Sequence, residues 1–264
     1  MKVNGRRARK GDLVKEGDLV LVPAELVTPV SLQPNADLAI DLLYADDAVV
    51  AVDKPAGMPS HALRAEETRT VANFLLSRYP EMGQVGRSPL ESGLVHRLDT
   101  GTSGVLLSAR TASAFSLLRQ QFTTGLVEKI YTVLVQGEVR AAGEVRSPIE
   151  HAPHNRRKMR IVEADRPGGR PAHTTYRPLE HCGAATLLEV RIHTGVMHQI
   201  RVHLASIGHP VVGDALYGSA PLTDTRGRHL LHASALGFVH PQTGQRTDIR
   251  SPLPANFKDR LLGC

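Results

Sequence analysis

Cysteine is scarce. Only Cys182 and Cys264 occur in 264 residues, too few to brace a fold with disulfides. A reducing compartment, the cytoplasm, is the expected setting. Long apolar runs are missing as well. None approaches the roughly 20 residues that span a bilayer, so no membrane partner is expected. The opening Met1-Lys2-Val3-Asn4-Gly5-Arg6-Arg7 lacks the apolar core of a secretory leader. No internal repeat and no low-complexity tract is visible, which sets repeat architectures aside.

Lysine is the rarer base, 7 of the 32 Lys and Arg residues, so the formal charge of +6 is carried mainly by guanidinium groups. With 41% hydrophobic and 22% charged residues, the composition is that of a globular protein: one large domain, or one domain plus an appendage. A basic balance favours a polyanionic partner, because Lys and Arg release counterions from phosphates. Arginine also forks onto phosphate and stacks on bases, which lysine cannot do. Compositional drift accounts for the arginine count as well as function does, so placement has to decide.

The most informative stretch is Gly93-Leu94-Val95-His96-Arg97-Leu98-Asp99-Thr100-Gly101-Thr102-Ser103-Gly104-Val105-Leu106-Leu107-Ser108. Leu94 and Val95 run into a polar knot and Val105 to Leu107 leave it. Asp99 is therefore expected on a loop between two strand-like segments, two residues after Arg97. Gly101 and Gly104 are free to take positive φ, and Thr102 and Ser103 can bond nearby backbone. A carboxylate displayed there is poised for chemistry; an Asp that merely bonds its own turn fits the pattern equally.

Residues 1–22 predict short strands around turns, at Val3-Asn4-Gly5, Asp12-Leu13-Val14 and Gly17 to Val22, with Arg6, Arg7, Arg9 and Lys10 clustered on the first connection. Pro23, Pro29 and Pro34 space an extended linker over 23–36. Ile40 to Tyr44 and Ala48 to Val52 read as two strands joined at Asp46-Asp47, and Pro55 and Gly57 stop the second, bringing Lys54 and His61 near a loop. Helical spacing covers Thr70 to Tyr79, with Thr70 as N-cap, and Thr111 to Phe122, closed by Gly125. Lys129 to Gly137 and Leu187 to Ile192 alternate as strands, as does Leu230 to Phe238. Residues 151–170, with Arg156, Arg157, Lys158, Arg160, Arg166 and Arg170, read as a long exposed basic hairpin. A short helix opens at His198, and another is expected after Pro254. His198 and His203, five apart, do not share a helical face, so no metal site is expected there.

Four stretches together resemble the pseudouridine synthases of the large-subunit ribosomal RNA type: Val52-Asp53-Lys54-Pro55-Ala56-Gly57; His96-Arg97-Leu98-Asp99 with Thr102-Ser103-Gly104; Lys129-Ile130-Tyr131; and His198-Gln199-Ile200-Arg201-Val202-His203-Leu204. Residues 1–22 look like the closing part of an S4-type RNA-binding module. The resemblance implies an α+β pseudouridine synthase fold over 37–264, a mixed, mainly antiparallel sheet flanked by helices and loops with a central RNA-binding cleft. It implies isomerisation of uridines in structured RNA, ribosomal or transfer RNA, by a monomer needing no cofactor and no metal. Asp99, Tyr131 and Arg201 would be catalytic: the carboxylate acting on ribose or base, the ring stacking on the base, the guanidinium pairing with Asp99. His96, Arg97, Arg156, Arg157 and Lys158 would hold the RNA, with Arg97 filling the gap left by a flipped-out uridine. Where the family usually reads Thr-Gly-Arg-Thr-His-Gln, this chain has Thr194-Gly195-Val196-Met197-His198-Gln199.

Two other readings compete. A catalytically idle RNA binder would use the basic clusters but has no need of a carboxylate facing an anionic ligand. A hydrolase built on His96, Asp99 and Ser103 lacks the strand–nucleophile–helix elbow.

Overall fold

The computed structural model describes residues 1–9, 11–23, 31–218, 228–255 and 257, without the side chain of Arg156. The helix expected after Pro254 falls largely outside these residues. By contacts the chain divides into Met1–Ser31 and Leu32–Cys264.

In the first unit, β1 (Lys2–Val3) pairs antiparallel with β2 (Arg6–Arg7) and with β3 (Val20–Leu21). Asn4 and Gly5, both at positive φ, make the tight turn. The Asn4 amide then bonds Asp18 at 2.7 Å. The expected strand at Asp12-Leu13-Val14 does not form: Leu13 is 92% exposed, and no neighbouring strand offers it a ladder.

The second unit is built on a nine-stranded sheet. Its elements in chain order begin with β4 (Asp41–Ala45), β5 (Val49–Lys54), α1 (Val71–Arg78), a 3₁₀ turn (Pro80–Gln84), β6 (Ser103–Ala109) and α2 (Ala112–Thr124). They continue with β7 (Glu128–Gln136), β8 (Gly143–Val145), β9 (Ile149–Ala152), β10 (Asn155–Ile161), β11 (Thr174–Cys182) and β12 (Ala185–Ile192). Last come α3 (Gln199–Ser206), β13 (Leu231–Val239) and β14 (Arg246–Arg250). The sheet runs β4-β5-β6-β13-β7-β12-β11-β8, with β14 also on β13. Every pairing is antiparallel except β6 with β13.

Both faces of the sheet are covered, which is why Val49 to Val52 reads as an unbroken apolar run. Val50 and Val52 pack with Val71 and Leu75 of α1 and Ile200 and Leu204 of α3. Val49 and Ala51 pack on the opposite side with Phe115 and Leu118 of α2. Local signals set the helix ends. Thr70 and Asn73 form a reciprocal capping box on α1. Thr111 caps α2, and Gly125 closes it in the left-handed conformation.

Three expectations need correction. Leu94-Val95 is not a strand; only Leu94 makes an isolated bridge, to Ser108. His198 lies outside the helix it was expected to open, as its left-handed N-cap at φ 56°, ψ 18°. The basic hairpin is anchored rather than wholly exposed. Its strands, β9 and β10, bury Ile149 and Met159 against Val202 of α3.

Candidate active site

The Asp99 loop leaves the edge of β6 and is fastened from three sides. Gly104, at φ 110°, lets β6 meet β13: a Cβ there would stand 2.2 Å from the Ala233 carbonyl oxygen. Gly101 matters differently from expectation, since its φ is not positive; the His229 ring occupies the space a Cβ would need, with Cε1 2.7 Å away. The hydroxyls also find distant partners instead of nearby backbone. Thr102 Oγ1 lies 2.9 Å from His229 Nε2, and Ser103 Oγ lies 2.9 Å from His232 Nδ1.

Lys54 ties the loop from the third side. Its fully buried ammonium donates to the carbonyls of Pro55 at 3.1 Å, Met58 at 2.6 Å and Thr100 at 3.2 Å. Those acceptors use all three of its hydrogens. Burial lowers its pKa to about 7, against the pull of the Asp99 charge.

Arg201 reaches the loop from α3. Its Nε and Nη2 donate to Asp214 Oδ2 and Oδ1 at 2.7 and 2.8 Å, a fork that sets the guanidinium plane. The remaining corner, Nη1, donates to Asp99 Oδ2 at 3.2 Å. Burial opposes the Arg201 charge, but the hydrogen bonds and charge of Asp214, with Asp99 behind them, outweigh it and raise the pKa. Burial likewise opposes the Asp214 carboxylate, yet Arg201 holds its pKa down. The trio is thus a cation shared by two anions, and of the two carboxylates only Asp99 keeps an opening to solvent: its side chain is 20% exposed and that of Asp214 is not exposed at all.

Asp99 opens onto a cleft of about 850 Å³. His96, Arg97, Tyr131, Lys129, His198 and Arg201 also line it. Tyr131 projects from β7 and is buried, and burial together with the Asp99 charge raises its pKa, so the phenol keeps its proton. Arg97 is exposed at the rim. His96 is largely spent on structure: its Nε2 accepts the Leu107 N–H at 2.9 Å, and its ring stacks on Phe122. Burial, then the nearby Lys129 and Arg119, lowers its pKa to about 3, so the ring is neutral.

On β10, Arg157 is exposed, and Lys158 Nζ lies over the Tyr217 ring, 5.5 Å from its centroid. The Arg156 side chain falls outside the described residues. The hydrolase arrangement is not built, because Ser103 is buried against His232 and His96 faces Leu107. Among the described residues, no group of three or more His, Cys, Asp or Glu could hold a metal ion. No described helix is long and apolar enough to cross a membrane.

Asp214, Tyr217, Lys54 and His198 belong to the site although sequence reasoning assigned them no role there. Asp214 follows Gly213 and behaves locally as a turn residue, accepting the backbone N–H groups of Leu216 and Tyr217. Lys54 had a usable signal: a lysine ending a strand with no other polar residue but Asp53.

The family described as RNA pseudouridylate synthase matches residues 48–206. The chain is 38% identical to a ribosomal large subunit pseudouridine synthase D of Xanthomonas campestris, over 99% of this chain and 80% of that one. It is also 38% identical to the protein of the same name from Neisseria meningitidis, over 82% of this chain and 59% of that one, so it spans about three fifths of that relative. Among solved structures, human RNA pseudouridylate synthase domain containing 1 superposes with a TM-score of 0.64 at 25% identity, covering 84% of this chain and 86% of the other. On these matches the chain belongs to the RNA pseudouridylate synthase family, isomerases that turn uridine in RNA into pseudouridine.

Proposed function

We propose that this protein isomerises specific uridines in structured RNA, with ribosomal RNA the first substrate to test and transfer RNA the second, and that Asp99 is the reacting carboxylate. One observation carries the reading. A solvent-accessible carboxylate stands 3.2 Å from a buried guanidinium whose other edge is already neutralised by Asp214, on the wall of a cleft large enough for a nucleotide. In the isomerisation the bond from uracil N1 to ribose C1′ breaks, the base turns, and a bond from C5 to C1′ forms. The C5 hydrogen leaves as a proton and N1 gains one. Nothing is oxidised or hydrolysed, so the chain's own groups suffice. Arg201 keeps Asp99 oriented, and Tyr131 offers a protonated phenol ring on which the base stacks as it turns.

A uridine inside a helix must first leave its stack, at a cost of a few kcal/mol. Arg97, exposed at the cleft rim, is the cation to fill the vacated space, and Arg156, Arg157 and Lys158 grip the backbone. His96 serves as a neutral wall of the cleft. Such an enzyme works as a monomer in the cytoplasm, where its RNA is. Residues 1–22, read as an S4-like remnant, add basic surface, and 37–264 carry the chemistry; the linker expected over 23–36 lies partly outside the described residues, and near its end Leu32 is buried in the core.

Asp99→Asn and Asp99→Ala test the reading. Pseudouridine formation in a single-turnover assay is expected to fall about a thousandfold or more, while the dissociation constant for RNA stays within about threefold. Turnover retained in both variants refutes it.

A further inference from the structure

One hydrogen-bond donor on the cleft wall has no part in the chemistry above. His198 Nδ1 lies 2.9 Å from the Tyr217 hydroxyl, and the same oxygen lies 2.7 Å from the Met159 backbone nitrogen. A backbone N–H can only donate, so the phenol oxygen accepts from Met159. No other acceptor among the described residues bonds the phenol, so we assign its own hydrogen to His198 Nδ1, which then accepts. Burial raises the pKa of Tyr217 to about 12, so that hydrogen stays in place. Burial lowers the pKa of His198, which favours the neutral ring. A neutral imidazole that accepts at Nδ1 carries its hydrogen on Nε2.

That Nε2–H faces Asp99 Oδ2 across 3.7 Å, beyond hydrogen-bond length. An oxygen set off the line between them can lie within bonding distance of both. It must give a hydrogen to the carboxylate and take one from the imidazole, which is what a hydroxyl does. A ribonucleotide carries such a group on its sugar, the 2′-hydroxyl, and the same group separates RNA from DNA. The left-handed backbone of His198, rare for a residue with a side chain, is the local feature that places the ring before α3 and beside the Asp99 loop.

We propose that His198 and Asp99 read the 2′-hydroxyl of the target ribose as a donor–acceptor pair, with Tyr217 the positioning residue that keeps the imidazole hydrogen on Nε2. The inference rests on Asp99 being the reacting carboxylate. Tyr217 is suited to the task because its ring is itself held between neighbours. Arg201 lies over it at 5.1 Å and Lys158 at 5.5 Å.

Hairpins cut from large-subunit ribosomal RNA are first screened for one in which the wild-type protein forms pseudouridine. That hairpin is then made with ribose or 2′-deoxyribose at the target position only. Dissociation constants for both are measured with wild type, His198→Ala, His198→Gln and Tyr217→Phe. The wild-type protein is expected to bind the 2′-deoxy hairpin about tenfold more weakly. That ratio should fall to about threefold or less in His198→Ala and return toward the wild-type value in His198→Gln, whose amide N–H reaches near the former Nε2. Tyr217→Phe should lie between. Because the ratio is taken within each protein, a smaller folded fraction does not move it. An equal ratio in wild type and His198→Ala, or no 2′-deoxy penalty in wild type, overturns the inference while pseudouridine formation stands. If no hairpin yields pseudouridine, the functional reading and the inference fall together.

Discussion

The Asp99 loop and the β9–β10 arm are both charged, and they hold that charge in opposite ways. Around the loop, Arg201 is bound to a carboxylate 13 residues away and to another 102 residues away, and both Arg201 and Asp214 are buried. In the arm, Arg160 and Arg166 both pair with Glu150, with arginine side chains 42% and 53% exposed. Exposed pairs of that kind contribute about 0–1 kcal/mol, whereas removing one partner of a buried pair costs about 3–5 kcal/mol. Buried charge fixes a geometry; exposed charge sets up a field. The first suits a reacting centre and the second suits a grip on a phosphate backbone.

The sharpest way to break the loop's side of that contrast is steric. Gly104→Ala drives a Cβ to 2.2 Å from the Ala233 oxygen on a backbone of positive φ, so β6 and β13 must part. The expected result is little folded protein, or a melting temperature lower by about 10 °C or more.

Arg201→Ala comes next, since it leaves Asp214 buried without its partner. Urea denaturation should show a loss of about 3–5 kcal/mol, and pseudouridine formation should fall with it. A double variant, Arg201→Met with Asp214→Leu, should regain much of the stability without regaining product. That outcome separates the pair's two roles.

Lys54 gives a pH signature. Between pH 7 and the ordinary lysine value the unfolded chain holds a proton on this residue that the folded chain has released. Stability should therefore rise with pH across that window and be lost as pH falls through about 7. Lys54→Met should flatten the slope, leaving the smaller rise due to Lys129, whose pKa burial lowers to about 8.

The smallest effect is expected in the arm. Arg157→Ala with Lys158→Ala should weaken RNA binding about two- to fivefold at moderate salt and reduce the salt slope by about one to two, with the fold intact by circular dichroism. An unchanged slope would remove these side chains from the RNA contact list.

How far the sequence could be read follows the same division. Thr111 and Gly125 announced the ends of α2 because caps act on their own helix. The alternation of β7 was visible because a half-buried strand has period two. Thr102 and Ser103 were misread as turn hydroxyls because their imidazole partners lie 127 and 129 residues on. Gly101 was misread for the same reason: the His229 ring that requires it is remote in sequence.

By itself the sequence determined α1 and α2, the strands β4, β5, β7, β12 and β13, the basic character of the arm, and the loop that displays Asp99, since each follows from contacts within a few residues. Its motifs also carried the family. Only the tertiary structure decided that Asp214 shares Arg201 with Asp99, that Lys54 spends its ammonium on three carbonyls, and that Tyr217 faces His198. Those are buried polar contacts between distant segments, and the cost of leaving any one of them unmade acts only once the chain has closed around it.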